Sequence, residues 1–164
     1  MSPQLASKFD ALDQRMEAMI SRIQSLSPEL LTSPVGQSMA PQSALEHMMI
    51  TEGIYAKMIN KAVGAKMAGK RPKVTFFYNF IIKAMQKPAG QTAFMPKMFA
   101  PTGIVNLESA AKEWRERRAS IRAYLQHLDD DECCGGNLLE GRLSPVHVYE
   151  LMSCHQDYHD ARLP

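Results

Sequence analysis

His155 and His159, in the run Cys154-His155-Gln156-Asp157-Tyr158-His159, stand four residues apart. On a helix that spacing puts both imidazoles on one face with Cβ atoms about 5–6 Å apart, near enough to chelate a single ion. Alone, such a pair is a weak signal. Here the phase adds to it, because His155 and His159 continue the apolar stripe of Val148, Leu151 and Met152. Both rings are therefore expected in a core, where an imidazole without partners loses its hydrogen bonds to water. His47 joins them as the third candidate ligand, lying beside Met48 and between Ala44 and Thr51 in the inward stripe of an earlier helix. Three neutral imidazoles leave coordination positions open on a divalent ion, as in a catalytic rather than a closed structural site. Zinc in such a site lowers the pKa of water to about 7, or gives a thiol a place to ionise. A hydrogen-bonded trio with no metal fits the same three residues, and both readings stay open at this level. His127 and His147 fall near helix ends and read as surface or boundary residues, with His147 favoured neutral beside a helix N-terminus.

Four helices must position these rings. Leu5, Phe9, Leu12, Met16, Met19, Ile23 and Leu26 step by fours and threes and predict a first helix. Ser27-Pro28, Thr32-Ser33-Pro34 and Gly36 predict a loop after it. Pro41 suits a first helical position, and Ala44, Met48, Thr51, Tyr55, Met58 and Ala62 carry a second helix to about Gly69. Val74 to Tyr78 is strand-like in composition, while Phe77, Ile81, Ile82 and Met85 suit a short helix with an irregular tail, which is the reading preferred. Pro88, Gly90, Pro96, Pro101 and Gly103 then punctuate a long crossover. Asn106 caps a third long helix with Leu107, Ala111, Trp114, Ile121, Leu125 and Leu128 inward, ending near Leu128 before an acidic run and Gly135-Gly136. Gly141 closes that loop, and Ser144-Pro145 supplies a cap and first residue for the helix of His155 and His159. The fold class expected is all-α, a four-helix bundle with a long crossover between its second and third long helices.

The bulk numbers fit this. At 164 residues the chain suits one domain, and 45% hydrophobic with 22% charged residues at a net charge of +2 suggests neither disorder nor a broad nucleic-acid surface. Lys66, Lys70, Arg71 and Lys73 form only a local basic cluster. Asp10, Asp13 and Glu17 in the first helix are unlike a signal peptide, and no window reaches the roughly 18 apolar residues of a membrane span. A cytoplasmic protein with no membrane or nucleic-acid partner is expected. Cys133, Cys134 and Cys154 form no CxxC pair, so neither a disulfide framework nor a thiolate zinc site is indicated. Cys154 reads as a buried small hydrophobe, and acidic neighbours should dull Cys133 and Cys134.

Pro41-Gln42-Ser43-Ala44-Leu45-Glu46-His47 with Glu52 after it, then Gly141-Arg142-Leu143-Ser144-Pro145 and the helix of His155 and His159, together resemble the DinB/YfiT-like superfamily over most of the chain. The resemblance implies a four-helix bundle, commonly a homodimer. It further implies a divalent ion, often zinc or nickel, held by one histidine of the second helix and an HxxxH pair of the fourth, the places of His47, His155 and His159. Activities it implies include thiol-dependent S-transferases and isomerases and metal-dependent hydrolases, with a small-molecule thiol or an electrophile as partner; the alternative is a non-catalytic structural or stress-response bundle in which the ion ties the second helix to the fourth. Met39-Ala40, Tyr158 and Arg162 depart from the common pattern around the pocket, and none of them removes a ligand.

Three further residues are candidates for a pocket. Arg118 interrupts an apolar stripe with a bidentate donor suited to a carboxylate or phosphate, or else snorkels out to water or pairs with an acidic side chain. Arg162, three residues past His159, can line the pocket mouth. Glu52 can orient an imidazole or act as a base, whereas Glu46 points about 100° away from His47.

Overall fold

The computed structural model describes residues 1–34, 36, 38–59, 69–86, 99–103, 106–137 and 139–164. The protein is mostly helical. Its described elements are α1 (Pro3–Gln24), α2 (Pro28–Thr32), α3 (Pro41–Met58), β1 (Lys73–Val74), α4 (Phe76–Met85), α5 (Leu107–Leu125), β2 (Gly135–Asn137), β3 (Gly141–Leu143) and α6 (Pro145–Asp160).

Local chemistry explains where the helices start. The Ser2 hydroxyl accepts the Leu5 N–H, with Pro3 at the first position of α1. Asp130 receives the Ser2 N–H at 2.6 Å and the Ser2 hydroxyl, so the acidic turn after α5 fastens the start of α1. Asn106 accepts the Ser109 N–H at 2.8 Å at the head of α5. Helix α5 ends at Leu125, one turn before Leu128, with the Gln126 N–H closing on the Arg122 carbonyl. The expected extension of the second long helix to Gly69, and Pro88, Gly90 and Pro96 of the crossover, lie outside the described residues.

Two expectations need correction. The segment after α1 is not all loop, because Ser27 and Pro28 start the short helix α2, with the Ser27 hydroxyl accepting the Leu30 N–H. A proline that blocks continuation of one helix is well suited to begin the next. The glycines after α5 are not merely chain breakers either. Gly135 and Gly136 lie in β2, which pairs antiparallel with β3, and β3 pairs antiparallel with β1 in a three-stranded sheet of order β1-β3-β2. The registers Gly136↔Arg142 and Val74↔Gly141 bring backbones too close for side chains. A Cβ on Gly141, at φ +92°, meets the Lys73 carbonyl oxygen at 2.3 Å. Of the strand-like run after Lys73, only Lys73–Val74 is strand. Thr75 then caps α4 by accepting the Tyr78 N–H.

The four long helices α1, α3, α5 and α6 contact one another, with α3 running along α5 and α1 against α6. Their buried residues form two apolar clusters. One gathers Phe9, Leu12, Tyr55, Ile121, Leu125, Leu151 and Met152; the other gathers Met16, Ile20, Leu45, Met48, Met49, Ala111 and Trp114. Along each helix the switch from one cluster to the other falls at polar residues: Asp13 on α1, Thr51 and Glu52 on α3, Arg118 on α5, and His155, Gln156 and His159 on α6. A polar layer thus crosses the molecule between two greasy ends; His155 and His159 belong to it, and His47 meets them from the turn of α3 before Thr51. None of the described helices is long and apolar enough to cross a membrane.

The sheet delivers the chain into α6, so Gly141 is a sensitive position for the whole arrangement. Gly141→Ala is expected to lower the unfolding free energy by about 1–3 kcal/mol, and to do so more than Gly36→Ala, where φ is also positive but no atom lies within 4 Å of the added Cβ. Parallel urea titrations of the two variants check the ranking, and equal losses would show that the close approach at Lys73 carries no cost.

Candidate metal centre

His47 is set by α3, a helix buried on nearly all sides, where Leu45, Glu46, His47, Met48 and Met49 are consecutive buried residues. His155 and His159 are set by α6, which begins at Ser144-Pro145. There the His147 ring folds back so that Nδ1 accepts the Ser144 N–H at 3.2 Å and its hydroxyl at 2.7 Å. His147 is thus a half-buried capping residue, and burial lowers its pKa despite the opposing charge of Glu150. His127 is exposed at the end of α5.

All three candidate ligands are buried, and one nitrogen from each lies within 4.8 Å of the others. His155 Nε2 is 3.0 Å from His47 Nε2 and 3.2 Å from His159 Nε2. Proton counting decides what these contacts can be. His47 Nδ1 lies 2.6 Å from the Phe99 carbonyl oxygen; a carbonyl only accepts, so Nδ1 carries the proton and Nε2 is a bare lone pair. His155 Nε2 holds at most one proton and can direct it at one neighbour. A neutral trio therefore satisfies at most one of the two contacts. The remainder needs either an imidazolium or a bound cation. Burial first, then the charges of His159, His47 and Arg118, hold His155 well below the usual histidine range. His159 is held down by burial, His47 and Arg162, and His47 by burial against the pull of the Phe99 carbonyl. Protonation is disfavoured at all three, and the donor set fits a divalent ion. His155 Nδ1 is buried with no hydrogen-bond partner among the described residues, and Nε2 is a ligand atom only when Nδ1 keeps the proton.

From sequence Glu46 flanks His47 as Glu52 does, able to orient an imidazole or act as a base but disfavoured by its helix phase. Its buried carboxylate receives the Thr102 N–H at 3.0 Å, the Thr102 hydroxyl at 2.6 Å and the Gly103 N–H at 2.9 Å. Burial alone would raise its pKa, but these three bonds bring it below the ordinary value. By pinning Thr102 and Gly103, Glu46 holds the turn that aims the Phe99 carbonyl at the neighbouring His47. Its position next to a ligand was the only sequence signal for this.

The three pocket candidates are placed as follows. Arg118 is fully buried and makes a two-point ion pair with Glu52, with Nε to Oε2 at 2.7 Å and a second bond to Oε1. It also reaches Asp13 at 3.3 Å and Gln156 Oε1 at 3.4 Å, with its guanidinium 5.6 Å from the Trp114 ring centroid. Burial works against its charge, and the Glu52 and Asp13 carboxylates together more than restore it. Arg118 and Glu52 thus face each other, and Arg118 acts on His155 through its charge. Arg162 is buried beside His159, stacked 3.6 Å from the Tyr158 ring centroid and donating to the Tyr158 carbonyl at 2.6 Å. Gln156, fully buried between His155 and Arg118, was not singled out from sequence. Cys154 is only half-buried, because it sits at the edge of the α6 stripe, and burial raises its pKa. Cys133 and Cys134 are buried, and burial brings Cys134 up to about 12.

The chain matches no family model, no curated protein and no solved structure.

Two outcomes follow from the polar layer. Glu52→Ala leaves a buried guanidinium without its main partner and is expected to cost about 3–5 kcal/mol, whereas Glu52→Leu combined with Arg118→Met should recover most of that loss. Denaturant midpoints of the single and double variants check this. The second concerns pH. The three imidazoles titrate lower in the folded than in the unfolded chain, whose histidines have pKa values of about 6.5. The unfolded state therefore binds more protons below that point, so the stability of chelator-treated protein is full above about pH 6.5 and falls as the pH drops towards the folded values. A midpoint constant between neutral and mildly acidic pH would contradict buried neutral histidines.

Proposed function

We propose that the protein is a divalent-metal-binding four-helix bundle of the DinB/YfiT-like kind, with zinc or nickel held by His47, His155 and His159. The observation that carries this reading is the convergence of three buried Nε2 atoms whose protons cannot satisfy one another. When bound, an ion with three imidazole ligands supplies Lewis acidity at its open positions and lowers the pKa of a water or thiol there.

The chain's own residues prepare that chemistry. The Phe99 carbonyl accepts the hydrogen bond of the His47 Nδ1–H and so fixes which nitrogen is a ligand. Glu46 holds the Phe99 turn in place. Arg118, itself balanced by Glu52 and Asp13, and Arg162 both lower the proton affinity of the α6 histidines. These features support a metal-dependent enzyme of the thiol S-transferase or hydrolase type, acting on an electrophile with a small thiol or water as nucleophile. A homodimer belongs to the same proposal.

Elemental analysis of tag-free protein tests the centre. Near-stoichiometric zinc or nickel is expected in the wild type, with loss in both His47→Ala and His155→Ala. In cobalt-substituted protein, a visible spectrum that shifts on adding a small thiol supports the enzyme. A spectrum unmoved by thiols or candidate substrates would make the ion a structural tie between α3 and α6, and no metal after reconstitution would remove the proposal altogether.

A further inference from the structure

Between Gly53 and Leu107 the sequence carries nine lysines and arginines and no aspartate or glutamate, although the whole chain has a net charge of only +2. The described part of this stretch builds an outer face from β1 and α4. On α4, Phe76, Asn79, Phe80 and Lys83 are all exposed and follow the spacing i, i+3, i+4, i+7, so they share one side of the helix. Phe76 is 85% exposed and Phe80 47%, and Leu139, in the turn between β2 and β3, is 60% exposed. Thr75 joins the two parts: its N–H donates to the Glu140 carbonyl at 3.0 Å and its hydroxyl to the Leu139 carbonyl. Leu139 is thereby held beside the start of α4 and its leading phenylalanine.

Cations flank these apolar side chains along the chain and across the sheet. Lys70, Arg71, Lys73 and Lys83 are exposed, and Arg142 lies opposite Lys73 in the sheet, its Nε donating to the Arg71 carbonyl at 2.8 Å. None of the five takes part in an ion pair among the described residues. Outward phenyl rings cost solvation, and an unneutralised basic rim repels itself; a partner of opposite charge with an apolar interior relieves both.

We propose that this face binds peripherally to an anionic lipid surface, with Phe76, Phe80 and Leu139 entering the boundary between headgroups and acyl chains while the basic rim meets lipid phosphates. A second copy of the chain fits less well, because a two-fold contact through this face sets the cationic rim against itself. A folded protein or nucleic acid needs a complementary shape for the protruding rings, whereas a fluid bilayer moulds around them. Because no described helix can span a membrane, the association is with its surface. The sequence reading foresaw no membrane partner, since it weighed only spanning segments and a four-residue basic cluster. This inference does not depend on the metal centre.

Co-sedimentation of the full chain with vesicles tests it. Binding is expected to phosphatidylcholine vesicles containing phosphatidylglycerol and not to phosphatidylcholine alone, and to weaken with added salt. Lys70→Gln with Lys73→Gln should reduce affinity roughly fivefold per cation removed. Phe76→Ser with Phe80→Ser should abolish most of the remainder. All four side chains are exposed, so helicity and metal content should match the wild type and serve as controls for folding. Absence of vesicle binding, equal binding to neutral vesicles, or anionic binding indifferent to the phenylalanine changes would each overturn the proposal, as would heparin or single-stranded DNA competing fully while the phenylalanine variant still binds them like wild type.

Discussion

Arg118 carries a charge that water cannot reach, and the four long helices meet around it. From α5 it extends two bonds to Glu52 on α3, one to Asp13 on α1 and one to Gln156 on α6. Replacing a buried ion pair by well-packed apolar groups is often neutral or favourable, so the value of such a pair does not lie in net stability. What the guanidinium imposes is geometry, because its planar fork accepts partners only in fixed directions. Glu52 lies five residues beyond His47, and Gln156 directly follows His155. The contacts that bring α3 and α6 to Arg118 therefore also govern the separation of the histidines those helices carry.

The polar layer would be expensive if its members were left unmatched, and most of them are matched locally. Glu46 and His47, adjacent on α3, grip a single turn at two points, through Thr102 and Gly103 and through the Phe99 carbonyl. The result is one defined tautomer at His47. The unmatched remainder concentrates at the histidine cluster and its neighbours: Thr51 Oγ1, Trp114 Nε1, His155 Nδ1 and Gln156 Nε2 have no hydrogen-bond partner among the described residues. Buried polar groups are normally satisfied, so their gathering along one layer coincides with the place where the three Nε2 atoms lack a consistent proton assignment.

Much of this was legible from periodicity. The stripes of α1, α3, α5 and α6 predicted which residues face inward, and the phase of His155 and His159 relative to Leu151 and Met152 identified them as core residues. Periodicity gives a direction but not a partner. The apolar stripe marks Arg118 as an interruption, yet nothing in the sequence says whether it turns out to water or pairs inward, or that its partner is Glu52, 66 positions away. The Phe99 carbonyl could not be foreseen at all, since a main-chain acceptor leaves no mark in residue type. The small sheet escaped notice for a different reason: strands of two and three residues are too short to show alternation, and the glycines that allow β2 and β3 to approach closely read as chain breakers. Ser27-Pro28 was taken as a stop although the same pair of residue types was read correctly as a start at Ser144-Pro145. The difference lies in what precedes them, and a helix ending only three residues before another begins defeats a local rule.

Two cations beside a proposed cation site look at first like an objection. Arg118 and Arg162 both act on the α6 histidines, and a positive charge opposes a second one nearby. For Arg118 the opposition is largely cancelled, since Glu52 and Asp13 bring two carboxylates to one guanidinium. What survives of it acts on protons as well as on the ion. A divalent ion requires neutral imidazoles and competes with protons for them, so an environment that already resists protonation removes that competitor before the ion arrives. Burial, the neighbouring guanidinium groups and the mutual repulsion of the three rings all act in this one direction.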